Sequence, residues 1–452
     1  MQERDNSISV YGLGYVGLTL CAAWLRAGHK VLGVDILKEK VQALNNGVIS
    51  HIELDVAQEI AKAVSNGCFR ATLEGIRASE QSKAKIIAVP VGLDDHGRPA
   101  LTDLEGTVRT LAQGLKSEDL VVLESSVPPG TTQNLVRSLL EEISGLEAEK
   151  DFFLAYSPER IYVGRALEDL VTRYPKIIGG VGPQSSKSAG TLYRKIAERG
   201  VRIVTSPTVA EFEKLAEGVY RDVNIALANE LAVLASTAGI DYDEVSETAN
   251  SQPFCHLHNP GVGVGGACIP VYPLFLASLA KTLGLDLKLV TTARQINTFM
   301  PNHIGRLVLQ LASKINPRNS RIAILGLAFR GGIDDARFSP TYDLIDALIK
   351  NGVDEITVND PYIPNDPLLA KLGYKLTSEL NEALRDKDIV VFAADHPQYK
   401  SLTLRDLKER MQRERIGVVD GRHVISEWKN PPRGVVYVGV GRPFRDSTQK
   451  EM

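Results

Sequence analysis

Short apolar runs alternate with stretches of helical periodicity along the first part of the chain. "SISVYGLG" reads as a strand, "YVGLTLCAAWLRAG" as a helix, and "KVLGVDI", "AKIIAVPV", "DLVVLESS" and "FFLAYSPE" as further strands. Strands separated by crossover helices predict a mainly parallel sheet with helices on both faces. This pattern accounts for residues 1–205.

The pattern then changes. From Thr208 the chain reads "TVAEFEKLAEGVYRDVNIALANELAVLASTAG", one long helical run opened by a capping box that pairs Thr208 with Glu211 at N3. A glycine-rich loop, "PGVGVGGACIPVYPLF", follows, and then the helical patterns "YPLFLASLAKTLG" and "LVTTARQINTFMPNHIGRLVLQLASKI". These helices form a central region, 206–315, whose apolar faces are candidates for subunit pairing. The polar segment "NPRNS" marks a boundary, beyond which "RIAILGLAF", "DEITVND", "DIVVFAAD" and "RIGVVDG" return to the strand-and-helix theme over 316–452. The expected fold class is α/β, with two α/β domains joined by a central region of long helices.

Composition narrows the function. With 452 residues, 44% hydrophobic, 24% charged and a formal charge of -3, the chain has several cores and no basic excess for nucleic acid or an acidic membrane. No apolar run reaches the length of a membrane span, and the polar start "MQERDNSISVYGLG" has no signal-peptide pattern, so a cytoplasmic protein is expected. Four cysteines do not make a disulfide framework in a chain this long. Cys21 lies in an apolar helix pattern and reads as core. Cys255, His256, His258 and Cys268 lack zinc-ligand spacing, so no metal is expected.

"ISVYGLGYVGLTLCAAWLRAGHKVLGVD" carries a dinucleotide fingerprint in its context of strand, glycines, helix and strand. Gly12 allows the tight turn, Gly14 admits a pyrophosphate, and Gly17 lets helix and strand pack. Leu13, Tyr15 and Val16 fill the turn, and the helix N-terminus offers free N–H groups to phosphate. Asp35 closes the second strand, where a carboxylate accepts from the adenosine ribose and repels a 2′-phosphate, so NAD is the expected cofactor. Both α/β domains read as Rossmann-like. The later turn "ILGLAFRGG" lacks the third glycine and runs into "IDDARFSP". It suits another phosphorylated ligand, with Arg330 and Arg337 as diphosphate contacts or as partners of Asp334 and Asp335.

Six segments carry a resemblance that covers nearly the whole chain: "GLGYVG", "ESSVPPGTT", "YSPER", "EKLAEGVYRDVNIALANELA", "GVGVGGACIP" and "GLAFRGGIDDARFSP". In that order they resemble the nucleotide-sugar dehydrogenases acting on UDP-glucose, UDP-N-acetylhexosamines or GDP-mannose. "YRDVNIALANELA" is most similar to the branch acting on UDP-N-acetylmannosamine or UDP-N-acetylglucosamine. The resemblance implies oxidation of a sugar C6 alcohol to the acid with two NAD, through a thiohemiacetal and thioester on Cys268. It further implies that Lys214 steadies the oxyanion, that Glu159 and Ser126 act as acid/base or water-positioning groups, and that Ser126 also lies near the cofactor. Arg160, Arg221, Gly265, Arg294, Arg330 and Arg337, with Glu159 and Lys214, are the expected substrate contacts, placed between the N-terminal and C-terminal domains. A homodimer or higher homo-oligomer through the central helices is implied as well.

The match breaks at three positions. Gly218 stands where the family usually has asparagine, Tyr272 where it has aspartate, and Ala267 where histidine is common. An active C6 dehydrogenase with rearranged support, an early-stopping oxidoreductase and a weakly active paralogue are the readings these departures leave.

Overall fold

A computed structural model describes residue 4 and residues 6–51, 53–317 and 319–447; Arg318 of the boundary segment lies outside them. The chain forms two compact units, residues 1–217 with 274–285 and residues 218–273 with 286–452. The division falls within a single long helix, Pro207–Thr237.

The first unit is built on β1 (Ser7–Tyr11), β2 (Lys30–Val34), β3 (Phe69–Thr72), β4 (Ala84–Ile87), the small ribbon β5 (Gly92–Leu93) and β6 (Pro99–Ala100), β7 (Leu120–Leu123), β8 (Phe153–Tyr156), β9 (Lys176–Gly180) and β10 (Val201–Ile203). Its main sheet has the order β10-β9-β8-β7-β4-β1-β2-β3. All neighbours are parallel except β8 and β9. β1 lies between β2 and β4, so the winding reverses there. In open sheets a ligand binds outside the carboxyl ends of the strands at such a point. The first crossover helix, Tyr15–Arg26, buries Leu18 through Leu25 against this sheet, including Trp24 and Cys21. Full burial pushes the Cys21 thiol well above its ordinary range, which suits the core position expected from its helix pattern.

The second unit holds β11 (Ile322–Leu325), β12 (Ile356–Asn359), β13 (Lys375–Thr377), β14 (Ile389–Phe392), β15 (Ile416–Asp420), β16 (Val435–Gly439) and β17 (Arg442–Asp446), in the order β13-β12-β11-β14-β15-β16-β17. Only β17 runs antiparallel. β11 lies between β12 and β14 and makes a second winding reversal. The helix Lys288–Ile315 carries Pro301 in its interior. A short helix, Tyr242–Ala249, is capped by Asp241, whose side chain accepts from the Asp243 N–H.

One expected local feature is replaced. The long helix begins at Pro207, and the Val209 N–H donates to Ser206 Oγ at 3.3 Å. Glu211 turns away from the helix end and accepts from the Gly130 N–H at 2.5 Å and from the Thr132 N–H and hydroxyl at 2.7 and 2.6 Å. The Thr208–Glu211 capping box therefore does not form, because tertiary donors claim the carboxylate. Among the described residues, no helix is long and apolar enough to cross a membrane.

Candidate active site

The fingerprint turn lies at the first winding reversal, outside the ends of β1 and β4. Gly12 has φ +91°, and a Cβ there would meet the Ala88 carbonyl oxygen at 2.8 Å. A Cβ on Gly17 would run into the Gly12 carbonyl, so helix and strand approach as closely as the motif requires. Gly14 is the N-cap, has no side-chain cap, and faces open space where a Cβ would stand. Leu13 is buried and packs on Gly33, and Val16 packs on the core. Open space over Gly14 and uncapped N–H groups behind it fit a dinucleotide pyrophosphate.

Asp35 is buried just beyond β2 and accepts from Leu13 N–H and Leu37 N–H at 3.0 Å each and from Lys40 Nζ at 2.9 Å. Burial alone would raise its pKa, but these donors hold it below the usual value, so the carboxylate is charged at neutral pH. Tyr15 donates to Glu53 and stacks on His51 with ring centroids 4.7 Å apart. Glu53 in turn accepts from the N–H groups of Gly164 and Ala166, both at 2.8 Å. The start of the fingerprint helix is thus tied to the loop that follows "SPER".

That loop carries Glu159 and Arg160. Lys214, buried on the long helix, donates to the Glu159 carbonyl oxygen and lies 3.6 Å from its carboxylate. Arg160 pairs with Glu217 at 2.6 Å and with Glu213 at 3.6 Å. Burial first, and then the Glu217 carboxylate, push Glu213 up to about 7 against the pull of Arg160. Beneath the loop, fully buried Glu124 takes Lys176 Nζ at 2.6 Å and the Tyr193 hydroxyl, and Lys176 also reaches the Pro158 carbonyl at 3.2 Å. This ion pair joins the end of β7, which leads to half-buried Ser126, to the residue before Glu159.

In the second unit Cys268 is exposed on its glycine-rich loop. The glycines there admit close approach of the protein's own chain. A Cβ on Gly265 would meet Phe329 Cβ and the Phe338 oxygen at 2.6 Å, and one on Gly266, at φ +90°, would meet the Phe329 ring at 2.9 Å. Gly266 N–H donates to the Arg337 carbonyl at 2.9 Å, so the cysteine loop is fastened to the "GLAFRGGIDDARFSP" loop. The Arg337 guanidinium is gripped by Asp335 through bonds of 3.0 and 2.7 Å, and this partner first, with the nearby Cys268 sulfur adding to it, raises its pKa. Arg330 is half-buried on the same loop.

At the second winding reversal the acidic residue is already engaged. Asp360, just past β12, takes the N–H groups of Leu327 and Ala328 at 2.8 Å each and the His396 Nε2 proton at 3.1 Å. Gly332 N–H donates to His396 Nδ1, which fixes that tautomer. The other oxygen of Asp360 accepts from the Tyr362 and Ile363 N–H groups at 2.9 and 3.2 Å, so this carboxylate carries five donors from its own chain against three on Asp35 and has less left to offer a ribose.

Comparison with known proteins decides the family. Three consecutive segments match models of the UDP-glucose/GDP-mannose dehydrogenase family: the NAD binding domain over 6–197, the central domain over 208–299 and the UDP binding domain over 323–427. The chain belongs to the UDP-glucose/GDP-mannose dehydrogenase family. It is 38% identical to UDP-N-acetyl-D-mannosamine dehydrogenase of Pyrococcus horikoshii over 96% of this chain and 99% of that protein. The structure of that archaeal enzyme superposes with a TM-score of 0.87 at 36% identity, again over 96% and 99% of the two chains. NDP-N-acetyl-D-galactosaminuronic acid dehydrogenase of Ralstonia nicotianae is 35% identical over 93% of this chain and 98% of its own. The protein is an NAD-dependent nucleotide-sugar dehydrogenase.

Gly218 and Tyr272, two of the positions where the resemblance breaks, meet in space. Tyr272 is 6% exposed, and a Cβ on Gly218 would clash with its Cδ2 at the ring edge, with Cε2 and Cγ both at 3.3 Å. Tyr272 therefore fills the volume beside the long helix. Arg294 is bound to Asp222 at 2.7 Å. Arg221 is exposed, and its charge, after burial and His256, lowers the pKa of His258. His256 and His258 pack edge to face, and the described residues contain no group of three or more His, Cys, Asp or Glu suited to a metal. Sequence reasoning missed a buried polar network that holds the loop's entry: Asn229 accepts from Gly261 N–H at 2.8 Å and donates to Asn297 at 2.9 Å, and Asn297 donates to Asp222 at 2.8 Å.

Proposed function

We propose that this dehydrogenase oxidises the C6 alcohol of UDP-N-acetylmannosamine to the uronic acid through covalent intermediates on Cys268. The observation that carries the reading is the exposed thiol on a loop fixed by the Gly266–Arg337 bond, in a chain alike over almost its whole length to an enzyme named for that sugar nucleotide. The fingerprint glycines and Asp35 would hold the pyrophosphate and ribose of NAD, which when bound would supply the hydride acceptor. Lys214, oriented by Glu159, steadies negative charge on the sugar oxygen. The alcohol loses one hydride to become the aldehyde, the Cys268 sulfur adds to it, the thiohemiacetal loses a second hydride to become the thioester, and water displaces the sulfur to release the acid. Two NAD, taken in turn, would be the acceptors of the two hydrides. Glu159 and Ser126 orient that water and relay its proton, and Arg160 holds the Glu159 loop. Arg330 and Arg337 meet the diphosphate, Gly265 lets the cysteine loop pack close, and Arg221 and Arg294 complete the substrate contacts, Arg294 by exchanging Asp222 for an anionic oxygen.

The functional unit is proposed to be a homodimer. Val209, Phe212, Tyr220, Leu227 and Leu234 of the long helix are all exposed, an apolar set that pairing would cover. Unpaired cysteines and an NAD site suit a reducing cytoplasm.

The test is NADH formed per sugar consumed, with product mass, for UDP-N-acetylmannosamine, UDP-N-acetylglucosamine, UDP-glucose and GDP-mannose, with Cys268→Ala in parallel. Two NADH and a uronic acid from the mannosamine substrate, lost in Cys268→Ala, are expected. One NADH with an aldehyde or keto product would replace this reading with that of an early-stopping oxidoreductase. Absence of turnover beside retained NAD binding would mean an impaired paralogue.

A further inference from the structure

Gly218 lies in the interior of a long helix, where glycine weakens the structure and alanine strengthens it. Something must forbid a side chain there. The obstacle is the ring of Tyr272, which is buried, occupies the place of a Cβ and leaves Cγ and Cε2 only 3.3 Å away. Tyr272 is also the first residue of the helix Tyr272–Thr282, and its N–H and that of Val271 both donate to the Cys268 carbonyl oxygen at 3.0 Å. Ring, turn and thiol-bearing residue are therefore one short piece of structure with little internal freedom.

We infer that the Tyr272 ring, seated in the notch at Gly218, is the positioning device of the Cys268 loop. The inference rests on the reading of Cys268 as nucleophile. Gly266 fixes the loop on one side, against the Phe329 ring and Arg337 carbonyl; the Tyr272 ring fixes it on the other, against the long helix. A methyl group at 218 pushes the ring outward by roughly an ångström to reach ordinary contact, and the turn transmits that shift to Cys268. Displacements of this size at a reacting group cost on the order of 10²-fold in rate. Valine at 272 ends before the δ positions and removes the obstruction.

The experiment compares the full-length protein with Gly218→Ala, Tyr272→Val and the double variant. It reads kcat and KM, NADH affinity, thermal midpoint, and the rate of Cys268 alkylation by iodoacetamide across pH, followed by intact mass. Gly218→Ala is expected to lower kcat about 10²-fold and change the alkylation rate, with NADH affinity and thermal midpoint retained; the double variant recovers much of both losses. Wild-type kcat and alkylation in Gly218→Ala, or a loss that Tyr272→Val does not relieve, would overturn the inference. If the unmodified protein turns over none of the four nucleotide sugars, the functional reading fails by itself. The alkylation rates of the same variants still support or overturn the lock.

Discussion

Lys214 donates its ammonium to the main-chain oxygen of Glu159, while the same residue's carboxylate lies 3.6 Å away. The lysine is thus held at its tip by the Glu159 loop and is buried along the long helix. Lys214→Met keeps most of the stem and removes the charge. The expected result is a fall in kcat of ~10²–10³-fold, the scale for loss of one charge-stabilising donor, with NADH affinity unchanged. Stopped-flow kinetics and NADH titration check it; an unaltered kcat removes Lys214 from the chemistry.

Asp35 accepts three hydrogen bonds and keeps its charge through them. Its negative charge faces the side of the turn where a ribose is expected. Asp35→Asn preserves the shape and removes the repulsion of a 2′-phosphate, so the ratio of kcat/KM for NAD over NADP should drop by about tenfold or more, equal to about 1.4 kcal/mol. Steady-state kinetics with both dinucleotides read the ratio directly, and no change would assign discrimination elsewhere.

The NAD end of the molecule was legible because its determinants are local. Gly12, Gly14, Gly17 and Asp35 lie within one strand–helix–strand unit, and each obeys a constraint visible in sequence. The short strands β3, β9 and β10 escaped notice because their pairing, not their composition, makes them strands. Long-range polar partners were equally hidden. Asn229 and Asn297 are 68 positions apart, and Asn297 and Asp222 are 75, so no spacing rule could join them. Glu211 shows the converse failure: a sound local motif was overridden by Gly130 and Thr132. Gly218 and Tyr272 each looked like an isolated departure when read singly; the structure places the Tyr272 ring against Gly218.

Glu213 supplies a pH dependence. Its carboxyl is raised from 4.5 to about 7, by burial and then by Glu217, so the fold favours the protonated form. Stability contributed by that preference is complete below the unfolded value and is lost as pH rises through the folded value, between about pH 4.5 and 7. Glu213→Gln fixes a neutral side chain beside Arg160. Urea midpoints measured from pH 4.5 to 8 should decline less steeply in this variant than in the unmodified protein. Identical slopes would show that Glu213 titrates as an ordinary surface carboxylate.

Two glycines with left-handed backbone separate strain from crowding. Gly266, at φ +90°, has Phe329 ring atoms at 2.9 and 3.0 Å from where a Cβ would stand; Gly284, at φ +71°, has nothing within 4 Å. Alanine at either site incurs the left-handed penalty of about 1–2 kcal/mol. Only at Gly266 must the half-buried Phe329 ring also give way, adding about 1–3 kcal/mol. Gly266→Ala is therefore expected to lower unfolding stability by more than Gly284→Ala, and to change the reactivity of Cys268 two residues on, which Gly284→Ala leaves alone. Equal losses from the two variants in denaturant titration, with equal thiol reactivity, would mean that the Phe329 ring yields freely and does not hold the cysteine loop.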